Sequence, residues 1–140
     1  MREEPLLLRQ FIHMNTSLFL TGRTIKGYKQ GRLLGFPTAN LDLISSPDLV
    51  EGVYLGYARV IPDLAMHPSL IFWGTPHFLP EAQTPRMEVH IIKQDIDLYD
   101  KLIEISLIDF IRENRKFLHQ ASLKEAIEND LQFALNYFKL

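Results

Sequence analysis

The chain has 140 residues, 46% of them hydrophobic and 23% charged, with a formal net charge of −2. That length suits one domain with a modest core, and the near-neutral charge offers no bulk attraction to nucleic acid or an anionic membrane. Cysteine is absent, which excludes disulfides, thiolate metal sites and a cysteine nucleophile and is compatible with a reducing, cytoplasmic setting.

Residues 1–16 show no clear period and read as an N-terminal arm ahead of a single barrel domain at 17–140. The acidic start is followed by only Leu6-Leu7-Leu8, a poor secretory signal, and no run approaches the ~18–20 apolar residues of a membrane span. Leu18 to Thr21 predicts a strand entering a loop rich in glycine and basic side chains. Gly22, Gly27 and Gly31 allow that backbone to bend and approach a ligand, and Lys26, Lys29 and Arg32 can offset phosphate charge. The loop ends in Pro37-Thr38-Ala39-Asn40, whose Thr38 and Asn40 offer hard oxygen ligands suited to Mg²⁺.

Leu41-Asp42-Leu43 then alternates like a short strand. Gly52 to Ile61 predicts a longer one stopped by Pro62-Asp63, and Leu70 to Trp73 another. His77 to Arg86 holds two prolines and reads as a loop. Along Met87 to Lys93, Met87, Val89 and Ile91 share one face, and Glu88, His90 and Ile92 the other. Ile103, Ile105 and Leu107 alternate with Glu104 and Ser106 in the last long strand. Short strands punctuated by turns predict a mainly β fold, a small closed antiparallel barrel. The period then changes. Ser122 and Glu125 have capping-box spacing, and Leu123, Ile127, Leu131, Leu135 and Phe138 predict an amphipathic C-terminal helix whose apolar face packs on the barrel.

Several chemistries find no support. The glycine loop is neither a Walker A loop nor a Gly-x-Gly-x-x-Gly turn, and its glycine spacing alone describes an ordinary barrel connection as well as a phosphate cradle. The five histidines lack metal-ligand spacing, and no serine has a nucleophile-elbow context. The aromatics are chiefly core material. Glu88, a carboxylate inside an apolar strand, is the residue whose chemistry stands out. Most strand glutamates face solvent, but one on a rigid strand also suits a proton acceptor.

The run Gly22-Arg23-Thr24-Ile25-Lys26-Gly27, continued by Gly31-Arg32 and Gly35-Phe36-Pro37-Thr38-Ala39-Asn40, resembles the signature of the riboflavin kinase (flavokinase) family, with Thr24 where Val is usual. Gly52-Val53-Tyr54, Glu88-Val89-His90, Asp97-Leu98-Tyr99 and Ile111-Arg112-Glu113 with Lys116-Phe117 extend the resemblance, in order, over about residues 17–135. The resemblance implies a Greek-key barrel with a C-terminal helix that transfers the ATP γ-phosphate to the riboflavin 5′-hydroxyl, giving FMN. It implies Glu88 as the base. It implies a nucleotide site of Gly22, Lys26, Gly27, Gly31, Arg32, Pro37, Thr38 and Asn40, with Mg²⁺ on Thr38 and Asn40. It places Arg112, Glu113 and Lys116 at the flavin end.

Bacterial members also carry an adenylyltransferase domain, for which 140 residues leave no room, so the chain reads as a monomeric stand-alone kinase or an excised domain. Two departures, Thr75 for the usual Asn and Asp100 for a common Gly, keep open a catalytically degenerate flavin- or nucleotide-binding module. A small-barrel nucleic-acid binder fits poorly with a sequence pI near 6.2 and no basic-aromatic stripe.

Overall fold

Strand alternation and helical period are both realised in the computed structural model, which describes residues 18–25, 36–77 and 84–140. The N-terminal arm and the loop residues Lys26, Gly27, Lys29, Gly31 and Arg32 lie outside the described residues. The elements are β1 (Leu18–Ile25), β2 (Ala39–Leu43), β3 (Gly52–Val60), β4 (His67–Gly74), β5 (Arg86–Ile91), β6 (Leu102–Glu113) and one helix, α1 (Gln120–Phe138).

The strands follow the order β1-β2-β5-β4-β3-β6 and close where β6 pairs with β1, every pairing antiparallel. Closure removes free sheet edges, so each strand has a ladder partner on both sides. On β5, Met87, Val89 and Ile91 point into the barrel interior and join Tyr54, Ile71, Trp73, Ile103 and Ile105 there. β3 is buried on successive residues because both of its faces are covered. Tyr54 and Ala58 face the interior, while Val53 and Leu55 lie in an outer cluster with Leu70, Ile92, Ile111 and Ala134 of α1.

β1 runs past Thr21 to Ile25, so Gly22 is a strand residue and not the start of a loop. It pairs with Leu43 on one side and Ile103 on the other. A Cβ at Gly22 would sit 2.8 Å from the Asp42 carbonyl oxygen, so glycine permits the close approach of β2.

The helix also starts earlier than its sequence suggests. His119 is the N-cap, with no side-chain cap, and the expected capping box does not form. Ser122 lies inside the first turn, where its own N–H donates to the His119 carbonyl at 3.1 Å, so its position is too late to cap. At the other end Lys139 is left-handed (φ 57°), and Leu140 N–H reaches Leu135 O at 2.9 Å, a Schellman closure. Ala126, Asp130 and Ala134 form the fully buried stripe, flanked by Leu131, Leu135 and Phe138. Small residues at the centre let the helix axis lie close to the sheet. Among the described residues no helix is long and apolar enough to cross a membrane.

Candidate active site

The β2–β5 ladder pairs Ala39 with Val89, Asn40 with Glu88 and Leu41 with Met87. Val89, Met87 and Leu41 belong to the interior. Alternation therefore sends Asn40 and Glu88 to the outer face, directly opposite each other, a separation of about 4.5–5.5 Å between Cβ atoms in such pairs.

Two cavities meet beside this pair. The first, about 430 Å³, lies between the outer face of the barrel and α1. Leu70, Phe72 and Glu88 form its floor, Leu123 and Ile127 its roof, and Phe36 and Phe117 contribute aromatic surface. The second, about 970 Å³, is bounded by Thr24 and Ile25 of β1, by Pro37, Thr38 and Asn40, and by the turn through Asp95 to Tyr99. Thr38 and His90 line both.

The electrostatics single out Glu88. Burial pushes its carboxyl pKa above the ordinary glutamate value, while the Arg86 charge pulls it down more weakly. A carboxylate held that way is a stronger proton acceptor than one in water. Asn40 is buried, and among the described residues its Oδ1 has no hydrogen-bond partner. An orphaned acceptor oxygen two residues from the Thr38 hydroxyl gives a donor set that would fit a hard cation. Among the described residues no cluster of three or more His, Asp or Glu could hold a metal by itself.

Of the residues expected at the flavin end, Arg112 lines the first cavity, whereas Glu113 and Lys116 are exposed and line neither. From the same segment, Asn114, Arg115 and Phe117 line the first cavity. Arg112 is also less free than its sequence suggests. Its Nε lies 3.0 Å from both carboxylate oxygens of Asp130, and its Nη2 2.9 Å from Oδ2. Asp130 was not singled out by motif. It has a signal nonetheless, since helical spacing puts it on the buried face with Ala126 and Ala134, where an acid needs a partner. Of the nucleotide-site residues, Pro37, Thr38 and Asn40 line the second cavity, and Gly22 lines neither.

Both departures from the family pattern have local explanations. Thr75 acts through its backbone: its N–H donates to Glu51 Oε1 at 2.6 Å, and its carbonyl accepts from Asn114 Nδ2 at 3.0 Å. Asp100 adopts the left-handed conformation (φ 53°) that glycine favours, and it receives Arg23 Nη1 on its carbonyl at 3.3 Å and on Oδ1 at 3.5 Å.

A closed antiparallel barrel with a C-terminal helix and a strand-borne carboxyl beside two adjoining cavities places the chain among the small β-barrel proteins. The riboflavin kinase model matches residues 14–138, and the chain belongs to the riboflavin kinase (flavokinase) family. The trifunctional protein RibF/MnmA of Mycoplasmoides gallisepticum is 40% identical over 124 residues, covering 88% of this chain and 18% of that protein. The bifunctional riboflavin kinase/FMN adenylyltransferase of Bacillus subtilis is 34% identical over 121 residues, covering 86% of this chain and 38% of that protein. The chain thus spans well under half the length of these relatives. Among solved structures, a protein from Streptococcus pneumoniae described as a macrolide-efflux protein superposes with TM-score 0.77 at 23% identity, over 92% of this chain and 42% of the other. Riboflavin kinase from Trypanosoma brucei superposes with TM-score 0.58 at 21% identity, over 88% and 80%. At these identities the two structures establish the shared fold.

Proposed function

We propose that the chain is the kinase unit that transfers the γ-phosphoryl group of ATP to the 5′-hydroxyl of riboflavin, giving FMN and ADP. The observation that carries this reading is the placement of Glu88. Its carboxyl, made more basic by burial, lines the first cavity directly across the ladder from Asn40, which lines the second. The first cavity, with Phe36, Phe72 and Phe117 in its walls, suits a planar apolar ring system, and the second suits the nucleotide.

In the reaction the ribityl hydroxyl oxygen bonds to the γ-phosphorus, the bond from that phosphorus to the bridging oxygen breaks, and its electron pair leaves with ADP. The hydroxyl proton passes to Glu88. Thr38 and Asn40 are the residues that would hold Mg²⁺, which neutralises phosphate charge when bound. The chain's own task is positioning: β5 sets the carboxyl, the segment before β2 sets Thr38, and α1 roofs the first cavity. This reading sets the chain in the cytoplasm as a monomer with no nucleic-acid or membrane partner, or joined to an adenylyltransferase domain that would consume its FMN.

Incubating the chain with riboflavin, ATP and Mg²⁺ and separating flavins by chromatography tests the proposal. FMN should accumulate with one ADP per FMN. Flavin and nucleotide binding without FMN would replace the kinase reading with that of a binding module.

A further inference from the structure

The β2–β5 ladder ends at Ala39 and Val89. One step further along the same register would bring Thr38 opposite His90, but no backbone pair forms there. Pro37, next in line, has no N–H to extend a ladder. A side chain takes over. His90 Nδ1 lies 2.7 Å from the Pro37 carbonyl oxygen, and the ring meets Phe36 edge-on at 6.3 Å and 87°. A carbonyl only accepts, so Nδ1 carries the hydrogen and donates it.

The geometry points to His90 as a positioning residue that clamps segment 36–38 onto β5 and so fixes Thr38 at the junction of the two cavities. His90 stands two residues from Glu88 on the same face of one strand. That strand therefore sets the proton acceptor directly and, through the imidazole, sets Thr38 relative to it. Thr38 has no ladder pairing of its own to hold it. Without the clamp the segment could shift by a fraction of a side chain, and displacements of that size near transferring groups are costly. The inference rests on the proposed kinase reading for its meaning in turnover, but its binding component can be measured separately.

The test compares His90→Leu, which removes the donor, with His90→Asn, whose side-chain amide can place an N–H where Nδ1 stood. ADP binding in the presence of Mg²⁺ is measured by calorimetry, alongside kcat, the two KM values and thermal unfolding. His90→Leu should weaken ADP binding about tenfold, the scale of losing one positioned hydrogen bond, and raise KM for ATP. His90→Asn should recover ADP binding to within about threefold of wild type. The clamp is overturned if His90→Leu binds ADP like wild type or if His90→Asn is as impaired as His90→Leu. It is also overturned if the wild-type chain binds no ADP with Mg²⁺. A wild-type chain that binds ADP but makes no FMN would refute the kinase reading alone, and the comparison of the two variants would still decide the clamp.

Discussion

Arg112 and Asp130 form a bidentate ion pair that joins the end of β6 to the centre of α1. The Asp130 side chain is 7% exposed and that of Arg112 18%. The pair sits in the wall of the first cavity, so the same contact docks the helix and shapes the pocket it roofs. Arg112 also lies 5.6 Å from the centre of the Phe117 ring, which extends the arrangement into the segment between β6 and α1.

Replacing Asp130 with Ala leaves a guanidinium partly buried without its carboxylate. Removal of one partner of a buried pair costs about 3–5 kcal/mol, so the Asp130→Ala chain should unfold at markedly lower temperature and denaturant concentration. Riboflavin affinity should fall with it, read by quenching of flavin fluorescence. Unchanged unfolding would mean that the pair contributes nothing beyond its desolvation cost.

Glu88→Gln retains the shape of the side chain and removes its capacity to take a proton. Turnover should drop by roughly 10²-fold or more, with riboflavin and ATP binding little changed. In the wild-type chain, turnover should decline on acidification at a pH above the ordinary glutamate value, because burial raises the pKa of Glu88. That acid limb should vanish from the residual activity of Glu88→Gln. Normal turnover in the variant would place the base elsewhere.

The same shift has a consequence for stability with a definite sign. A carboxyl whose pKa is higher in the folded chain binds its proton more tightly there. Stability falls as pH rises from the unfolded value through the folded one, and the cost persists above. Glu88→Gln buries no charge, so it should be more stable than wild type at neutral pH. The gap should close below the ordinary carboxylate range. Equilibrium unfolding at several pH values measures this, and a less stable variant at neutral pH would contradict it.

Asn40→Ala removes a buried oxygen that has no partner among the described residues, so its effect on folding should be slight. Its effect on chemistry should be large. Phosphotransfer should fall by on the order of 10²-fold, and Mg²⁺ should no longer strengthen ADP binding in calorimetry. Full activity in this variant would remove Asn40 from the metal assignment.

Thr24 has a structural role that the usual valine could not fill. Its hydroxyl donates to the Leu98 carbonyl and accepts from Lys101 N–H at 2.9 Å, pinning the turn that walls the second cavity. Thr24→Val should cost about 1 kcal/mol, because Lys101 N–H and the Leu98 carbonyl keep their own bond at 3.3 Å. ADP affinity should fall modestly. An unaltered unfolding midpoint would show that the turn is held by its backbone bonds alone.

Much of this protein is local in its sequence. Period-two runs such as Met87 to Ile91 and the period of Leu123 to Phe138 depend only on which neighbouring residues are apolar, so the strands, the barrel class and the helix are legible in them. Glu88, Thr38 and Asn40 could be named from residue type, spacing and family signature. Other features depend on partners distant along the chain. Gly22 is a strand residue because β2 presses against it, and the helix start moves to Gln120 despite the spacing of Ser122 and Glu125. Arg112 meets Asp130 18 residues away, and His90 meets Pro37 53 residues away. Even the facing of Asn40 and Glu88 is a matter of register between strands that are not consecutive in sequence. Alternation assigns each side chain to a face, but only barrel closure decides which faces meet. The cavities, and the environment that raises the pKa of Glu88, arise from that meeting.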